Sequence, residues 1–380
     1  MSTTHREATT LADRLARWCR IPTHADNGDG QRAMADELVA VLTPIAGRVQ
    51  VESVGPHRLP VVRAWSHSRT TLPVLLVGHF DTVPHDGAET TPDVQMRDGR
   101  VIGRGTADMK GGVVVMIEAL SRVEAGPDAP SWQVVLVPDE EIGTPWSRTI
   151  LREAAAQSGA ALVFEPATAN GGLVRHRKGV GTVTIDITGK AAHAGRNPWE
   201  GRSAIAALAA VVPPIESLTD RAAGTYVAVT TAAGGTAANI IPARARLQID
   251  IRCDSSAESE RVLTGIGRAA RAVAADNDVG MHVRGGMHRP AMAENAAAGV
   301  LFGRYRATAS QRGLDVTWTD VGGGSDANLI AQSGIPVLDG LGVVGGDLHG
   351  PAEYAEIDSL EERAALAHDL IAAIPELLGS

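Results

Sequence analysis

The chain has 380 residues, 44% hydrophobic and 21% charged, an ordinary globular composition with enough apolar residues for one large or two smaller cores. A formal net charge of -9 and a pI near 5.7 exclude the basic excess of a general nucleic-acid binder. Cys19 and Cys253 are the only cysteines and form no CxxC pair, which argues against a thiolate zinc site.

The N-terminal residues are polar, then amphipathic, without the apolar segment of a signal peptide. No later run is long enough to span a bilayer, so a cytoplasmic protein with no membrane partner is expected. Periodicity predicts helices over Leu11–Cys19 and Gln31–Ala46, then strands at Val61–Trp65 and Leu72–Val77. A hairpin turning at Asp98-Gly99 leads into Gly103-Arg104-Gly105-Thr106-Ala107-Asp108 and a buried helix over Val113–Val123. The apolar run Val134–Val137 ends in Asp139-Glu140-Glu141. A helix over Thr149–Ser158 and a strand ending in Glu165-Pro166 follow. Strands alternating with helices predict an α/β fold, a mixed sheet flanked by helices, with ligands beyond the carboxyl ends of strands.

From about Lys178 the order becomes β-α-β-β-α-β: strand Val180–Thr188, helix Gly201–Val212, strands Tyr226–Thr231 and Arg244–Cys253, helix Ala257–Ala274, strand Gly280–Arg284. That is a ferredoxin-like unit, expected as a separate α+β domain over 178–286 inserted into a catalytic domain of 1–177 and 287–380. Sheet-and-helix alternation then resumes through Gly322-Gly323-Gly324-Ser325-Asp326, a loop holding His349, and a closing helix over Leu360–Leu378.

Three consecutive carboxylates at a strand end repel one another and resist burial, so a cation is expected to meet them. Alone, the run also fits a solvated acidic turn. His79 alone fits a core histidine, Asp108 a helix cap, Glu165 a turn and His349 a loop residue. Together, His79, Asp108, Glu141, Glu165 and His349 repeat one pattern, a polar ligand near the end of an apolar strand or at a helix entrance. Imidazoles with carboxylates suit zinc, and also cobalt or manganese. Three carboxylates and two neutral imidazoles leave a charge that two divalent ions and one hydroxide would balance. Asp81, two residues after His79, can fix that imidazole's tautomer. Glu140 is then free to act as general base on a water at the metal.

The chain also resembles a known family. The runs Gly78-His79-Phe80-Asp81-Thr82-Val83, Gly105–Gly112, Asp139–Gly143 and Phe164-Glu165-Pro166 are similar to those of the M20 metallopeptidases, as are Gly189–Gly195, Asn239–Ala243, Gly322–Ala327 and His349–Tyr354. This group includes glutamate carboxypeptidase, acetylornithine deacetylase and succinyl-diaminopimelate desuccinylase. The resemblance implies a di-zinc hydrolase in which Asp108 bridges the metals, His79 and Glu165 hold one, and Glu141 and His349 the other. It further implies that the inserted domain is a lid and dimerisation domain. His193 would reach the active site of the partner in a homodimer and stabilise the oxyanion. Asn239, Arg252, Arg289, Gly322, Gly323, Gly324 and Ser325 would bind substrate, a small peptide or N-acyl amino acid. Members of the glutamate carboxypeptidase group can carry a lysine where this chain has Gly171-Gly172-Leu173. Arg175, His176, Arg177 and Lys178 are nearby replacements.

Overall fold

The computed structural model describes residues 10–68, 72–84, 93–293 and 295–379; the polar start at Met1–Thr9 lies outside them. The chain divides into two compact units. The first comprises Met1–Arg175, Glu294–Asp320 and Ser325–Ser380; the second comprises His176–Ala293 and Val321–Gly324. Among the described residues no helix is long and apolar enough to cross a membrane.

An eight-stranded mixed sheet organises the first unit. Its order is Arg48–Val54, Leu59–Trp65, Trp132–Val137, Val74–His79, Ala160–Val163, Val337–Asp339, Leu173–Arg177, Trp318–Val321. The strands Val74–His79, Trp132–Val137 and Ala160–Val163 are buried throughout and pair in parallel. Such runs must be covered on both faces, so they read as continuously apolar rather than alternating. Helices Leu11–Cys19, Gly28–Leu42, Gly112–Glu124, Ala296–Gln311 and Ile357–Leu378 contribute Trp18, Leu38, Val113, Tyr305 and Leu370 to the same core. The register decides the site: His79 pairs with Val137, so those two strands end level, and Val77 pairs with Val163, so the third ends two residues earlier.

A small antiparallel sheet, ordered Gly345–Gly346, Tyr354–Glu356, Arg100–Ile102, Gln95–Arg97, supports the loop that carries Asp108. Its hairpin turns at Asp98 (φ 52°) and Gly99 (φ 73°), the paired left-handed conformations that an Asp-Gly turn favours.

The second unit contains a four-stranded antiparallel sheet in the order Tyr226–Gly234, Arg244–Cys253, Gly179–Thr188, Gly280–Arg289. Helices Ala204–Glu216 and Ser256–Asn277 supply Val211, Ile215, Val262 and Ile266 to a core with Ile185, Leu247, Ile249 and Ile251.

Several boundaries differ from expectation. Strand Arg48–Val54 was not anticipated; it is an edge strand without a fully buried residue, so its apolar signal is weak. Helix Gly28–Leu42 starts before the expected Gln31 because the Asn27 side chain accepts from Gly30 N–H and caps it. Helix Ala204–Glu216 runs through Pro213 and Pro214, where a stop was expected; they fall in its last turns, and Ser217 N–H still donates to the Pro213 carbonyl. The last strand of the second unit continues to Arg289, past a bulge at Met287.

Candidate metal centre

The neighbouring strand ends bring three candidate ligand-bearing segments of the first unit together. His79 closes its strand and is buried. Its Nε2 lies 3.1 Å from Asp108 Oδ1 and 3.9 Å from Glu165 Oε2. The other Asp108 oxygen, Oδ2, lies 3.2 Å from His349 Nε2, which is 3.3 Å from Glu141 Oε2. Two clusters result, His79–Asp108–Glu165 and Asp108–Glu141–His349, each with its ligand atoms within 4.8 Å of one another. Asp108 belongs to both and gives one oxygen to each.

Asp81 is buried and its carboxylate ties two of these segments. It lies 3.3 Å from His79 Nδ1 through Oδ1, which also accepts from Glu140 N–H at 3.2 Å. Its Oδ2 accepts from Glu141 N–H at 2.9 Å. Asp81 therefore orients the imidazole and fixes the backbone of the acidic turn together. His349 has the left-handed φ of 64°, unusual for a non-glycine residue. Asp347 holds that turn, its backbone carbonyl accepting from Gly350 N–H and its carboxylate from Ala352 N–H.

The three acids do different work. Asp139 accepts from the N–H groups of Trp146 and Ser147 and builds the turn; burial pushes its carboxyl up to about 6. Glu140 is buried, and Glu141 faces His349.

Electrostatics shows what this arrangement wants. Burial opposes a charge on His79, but hydrogen bonds with Asp108 and Asp81, with Glu165 adding, hold its pKa well above the usual histidine value. Hydrogen bonds with Asp108 and Glu141 lift His349 to about 10. Burial pushes Asp108 up, yet its contacts with the two histidines win and hold it below the carboxylate range. Glu141 is raised, chiefly by burial. The carboxylates thus keep positive charge on both imidazoles, where divalent cations would serve better. Nitrogen and oxygen donors in two sets that share one carboxylate fit two such ions.

The remaining expected site residues, except Ser325, belong to the second unit. Strands Ala192–His193 and Ile240–Ile241 pair, and Ala194 N–H donates to the Asn239 carbonyl, so His193 and Asn239 are neighbours although 46 positions apart. His193 is exposed, and its Nδ1 accepts from Gly195 N–H at 3.1 Å. That bond leaves the ring proton of a neutral imidazole on Nε2. Arg252 lies on the sheet face opposite the core-facing Leu247, Ile249 and Ile251, and forms a two-point ion pair with Asp250 at 2.9 and 3.2 Å. Arg289 is buried, with its Cδ 2.9 Å from where a Cβ on Gly324 would stand. The Gly323 carbonyl accepts from Arg177, and Gly322 starts the bend after Val321.

Ser325, in the first unit, is buried: its hydroxyl donates to Asp339 and accepts from Ala327 N–H, while its own N–H donates to Asn328. Its polar atoms serve the fold. The cations near Gly171-Gly172-Leu173 are similarly engaged. Arg175 pairs with Asp320 through two 2.9 Å contacts, His176 meets the Asp254 carbonyl, and Lys178 bonds Asp254.

One residue at this centre was not singled out from sequence. Glu353 is buried and accepts through Oε1 from the N–H groups of Ala107 and Asp108, each at 3.0 Å. It followed His349 in the matching run, but a carboxylate that works through backbone N–H groups has no signal of its own.

Residues 75–373 match the model of peptidase family M20/M25/M40, and the chain belongs to that family. It is 31% identical over 307 residues to carboxypeptidase G2 of Pseudomonas sp. (strain RS-16), covering 78% of this chain and 73% of the relative. It is 29% identical to succinyl-diaminopimelate desuccinylase of Rhodospirillum rubrum, covering 75% of this chain and 78% of that one. Its fold matches that of the Bacillus subtilis YXEP protein, a dinuclear metal-binding peptidase of the M20 family, with a TM-score of 0.71 at 18% identity over 96% of this chain and 99% of that one. The chain is thus a metal-dependent hydrolase of this family.

Proposed function

We propose that this M20/M25/M40 peptidase uses two zinc ions to hydrolyse an amide bond next to a free carboxylate, as an exopeptidase that removes a C-terminal, glutamate-like residue. The observation that carries the two-metal reading is Asp108, whose two oxygens face different ligand sets. The carboxypeptidase G2 relative carries the exopeptidase reading.

Bound there, two divalent ions would acidify water and polarise the scissile carbonyl. Every other step falls to side chains. Glu140 takes a proton from the attacking water as its oxygen bonds to the carbonyl carbon, then delivers that proton to the amine nitrogen as the C–N bond breaks. His193 fits an oxyanion donor, because its Nε2 carries the proton and is not used by the Gly195 contact. In this reading the second unit is a lid and dimerisation domain, His193 serves the partner's site, Arg252 and Asn239 meet the substrate, and the enzyme works in the cytoplasm.

The second reading is an N-acyl-amino-acid deacylase. The desuccinylase relative supports it, as does the engagement of Arg175, His176, Arg177 and Lys178, which leaves the position of the family's lysine without an evident substitute. N-acetyl-glutamate compared with dipeptides ending in glutamate separates the two. The catalytic assignment is tested by Glu140→Gln, which removes the base but no ligand: two metals should remain while turnover falls roughly a hundredfold or more. Near-normal turnover would take Glu140 out of the mechanism.

A further inference from the structure

The loop that presents Asp108 is not a regular helix. Gly105 is left-handed at φ 74°, and Asp108 leaves the helical region at φ -109°, ψ 96°. Its N–H groups therefore do not run into a helical ladder and need acceptors from elsewhere. Glu353 supplies them. Its Oε1 takes both Ala107 N–H and Asp108 N–H at 3.0 Å, and its backbone carbonyl takes Gly103 N–H at 2.8 Å. One residue thus grips the loop at its start and at the ligand itself. Pairing of Tyr354–Glu356 with Arg100–Ile102 delivers Glu353 there, four residues after His349.

We propose that Glu353 is a positioning residue of the metal centre, clamping the Ala107–Asp108 backbone so that Asp108 turns one oxygen toward His79 and Glu165 and the other toward Glu141 and His349. The inference rests on the two-metal reading. The physical need is specific. Rotation about the Asp108 backbone moves both oxygens at once, so a bridging ligand tolerates less backbone freedom than a ligand of one ion. A carboxyl oxygen carries two lone pairs, which suits two N–H groups converging on it. The clamp also links Asp108 to the segment that carries His349.

Zinc stoichiometry and affinity, measured by chelator competition on the full chain, test this with Glu353→Gln and Glu353→Met, alongside circular dichroism of the metal-free proteins. Gln keeps an acceptor oxygen and should bind two ions nearly as wild type does. Met fills the space without an acceptor and should weaken binding about 10–100-fold while remaining folded. Wild-type affinity in the Met variant would overturn the proposal, as would equal weakening in both variants, since charge rather than the clamp would then matter. If the Met variant does not fold, Glu353→Asp, one methylene short of the N–H groups, should show the same loss; full affinity there overturns the proposal. Wild-type protein that binds a single ion overturns the two-metal reading and this inference with it, whereas two ions bound with wild-type affinity by both wild type and the Met variant remove only the role of Glu353.

Discussion

The backbone segments that carry Asp108, Glu141 and His349 are held by Glu353, Asp81 and Asp347, and this has measurable consequences. Asp108 serves both clusters, so Asp108→Ala should empty both metal positions; one ion bound at full affinity would mean the carboxylate does not bridge. The raised pKa values of His79 and His349 imply that both are protonated in the metal-free enzyme near pH 7. Metal ligation needs them neutral, so zinc binding should release about two protons at neutral pH. Affinity should accordingly rise with pH and level off once the pH passes the histidine pKa values, since protons no longer compete there. Calorimetry in buffers of different ionisation enthalpy measures the count, and release of no protons would contradict the charge state inferred here. The residues of the two clusters were legible in the sequence as candidate ligands because each sits near an apolar run that ends abruptly. Glu353 and the turn-building role of Asp139 were not, because both act through backbone N–H groups, which any residue carries.

At the scale of elements, the site depends on close packing between the helix that follows Asp108 and the strand that precedes Glu165. A Cβ on Gly112 would stand 1.9 Å from the Phe164 carbonyl oxygen, a backbone atom that cannot step aside. Gly112→Ala should therefore push helix Gly112–Glu124 off the strand end. Overpacking of this kind costs about 1–3 kcal/mol. The loss should appear both in thermal stability and in affinity for the ion held by His79 and Glu165; an unchanged melting temperature would show that the contact relaxes freely. The register of the parallel strands gives the element-scale reason for the centre. Because His79 pairs with Val137 and Val77 with Val163, two strands stop level and the third two residues short of them, and the residues that follow share one rim. Sequence periodicity located these strands but carried no register, since a fully apolar strand has no alternating face to fix it. The edge strand Arg48–Val54 escaped notice for the complementary reason, being too polar to announce itself.

At the scale of the whole molecule, the proposed exopeptidase reading bears on Arg252 of the second unit. Arg252 is already paired in two-point fashion with Asp250. If Arg252 reads the substrate carboxylate, Arg252→Lys should lose one charge-assisted contact, about 1.5–3 kcal/mol in kcat/KM, with metal content unchanged. A substrate with its carboxylate amidated should be poor for wild type and no worse for the variant; equal losses on both substrates would remove Arg252 from recognition. The sequence by itself determined the alternation of strands and helices, the β-α-β-β-α-β stretch and the identity of the ligand-bearing turns. These are local properties, written in apolar periodicity and in polar residues at element ends. Only the tertiary structure decided that Ser325 caps a helix, that Arg252 arrives with Asp250, and that Glu353 grips the Asp108 loop from 245 residues away. Those are relations between segments distant in the chain, fixed by strand register and packing, and no local pattern encodes a distance.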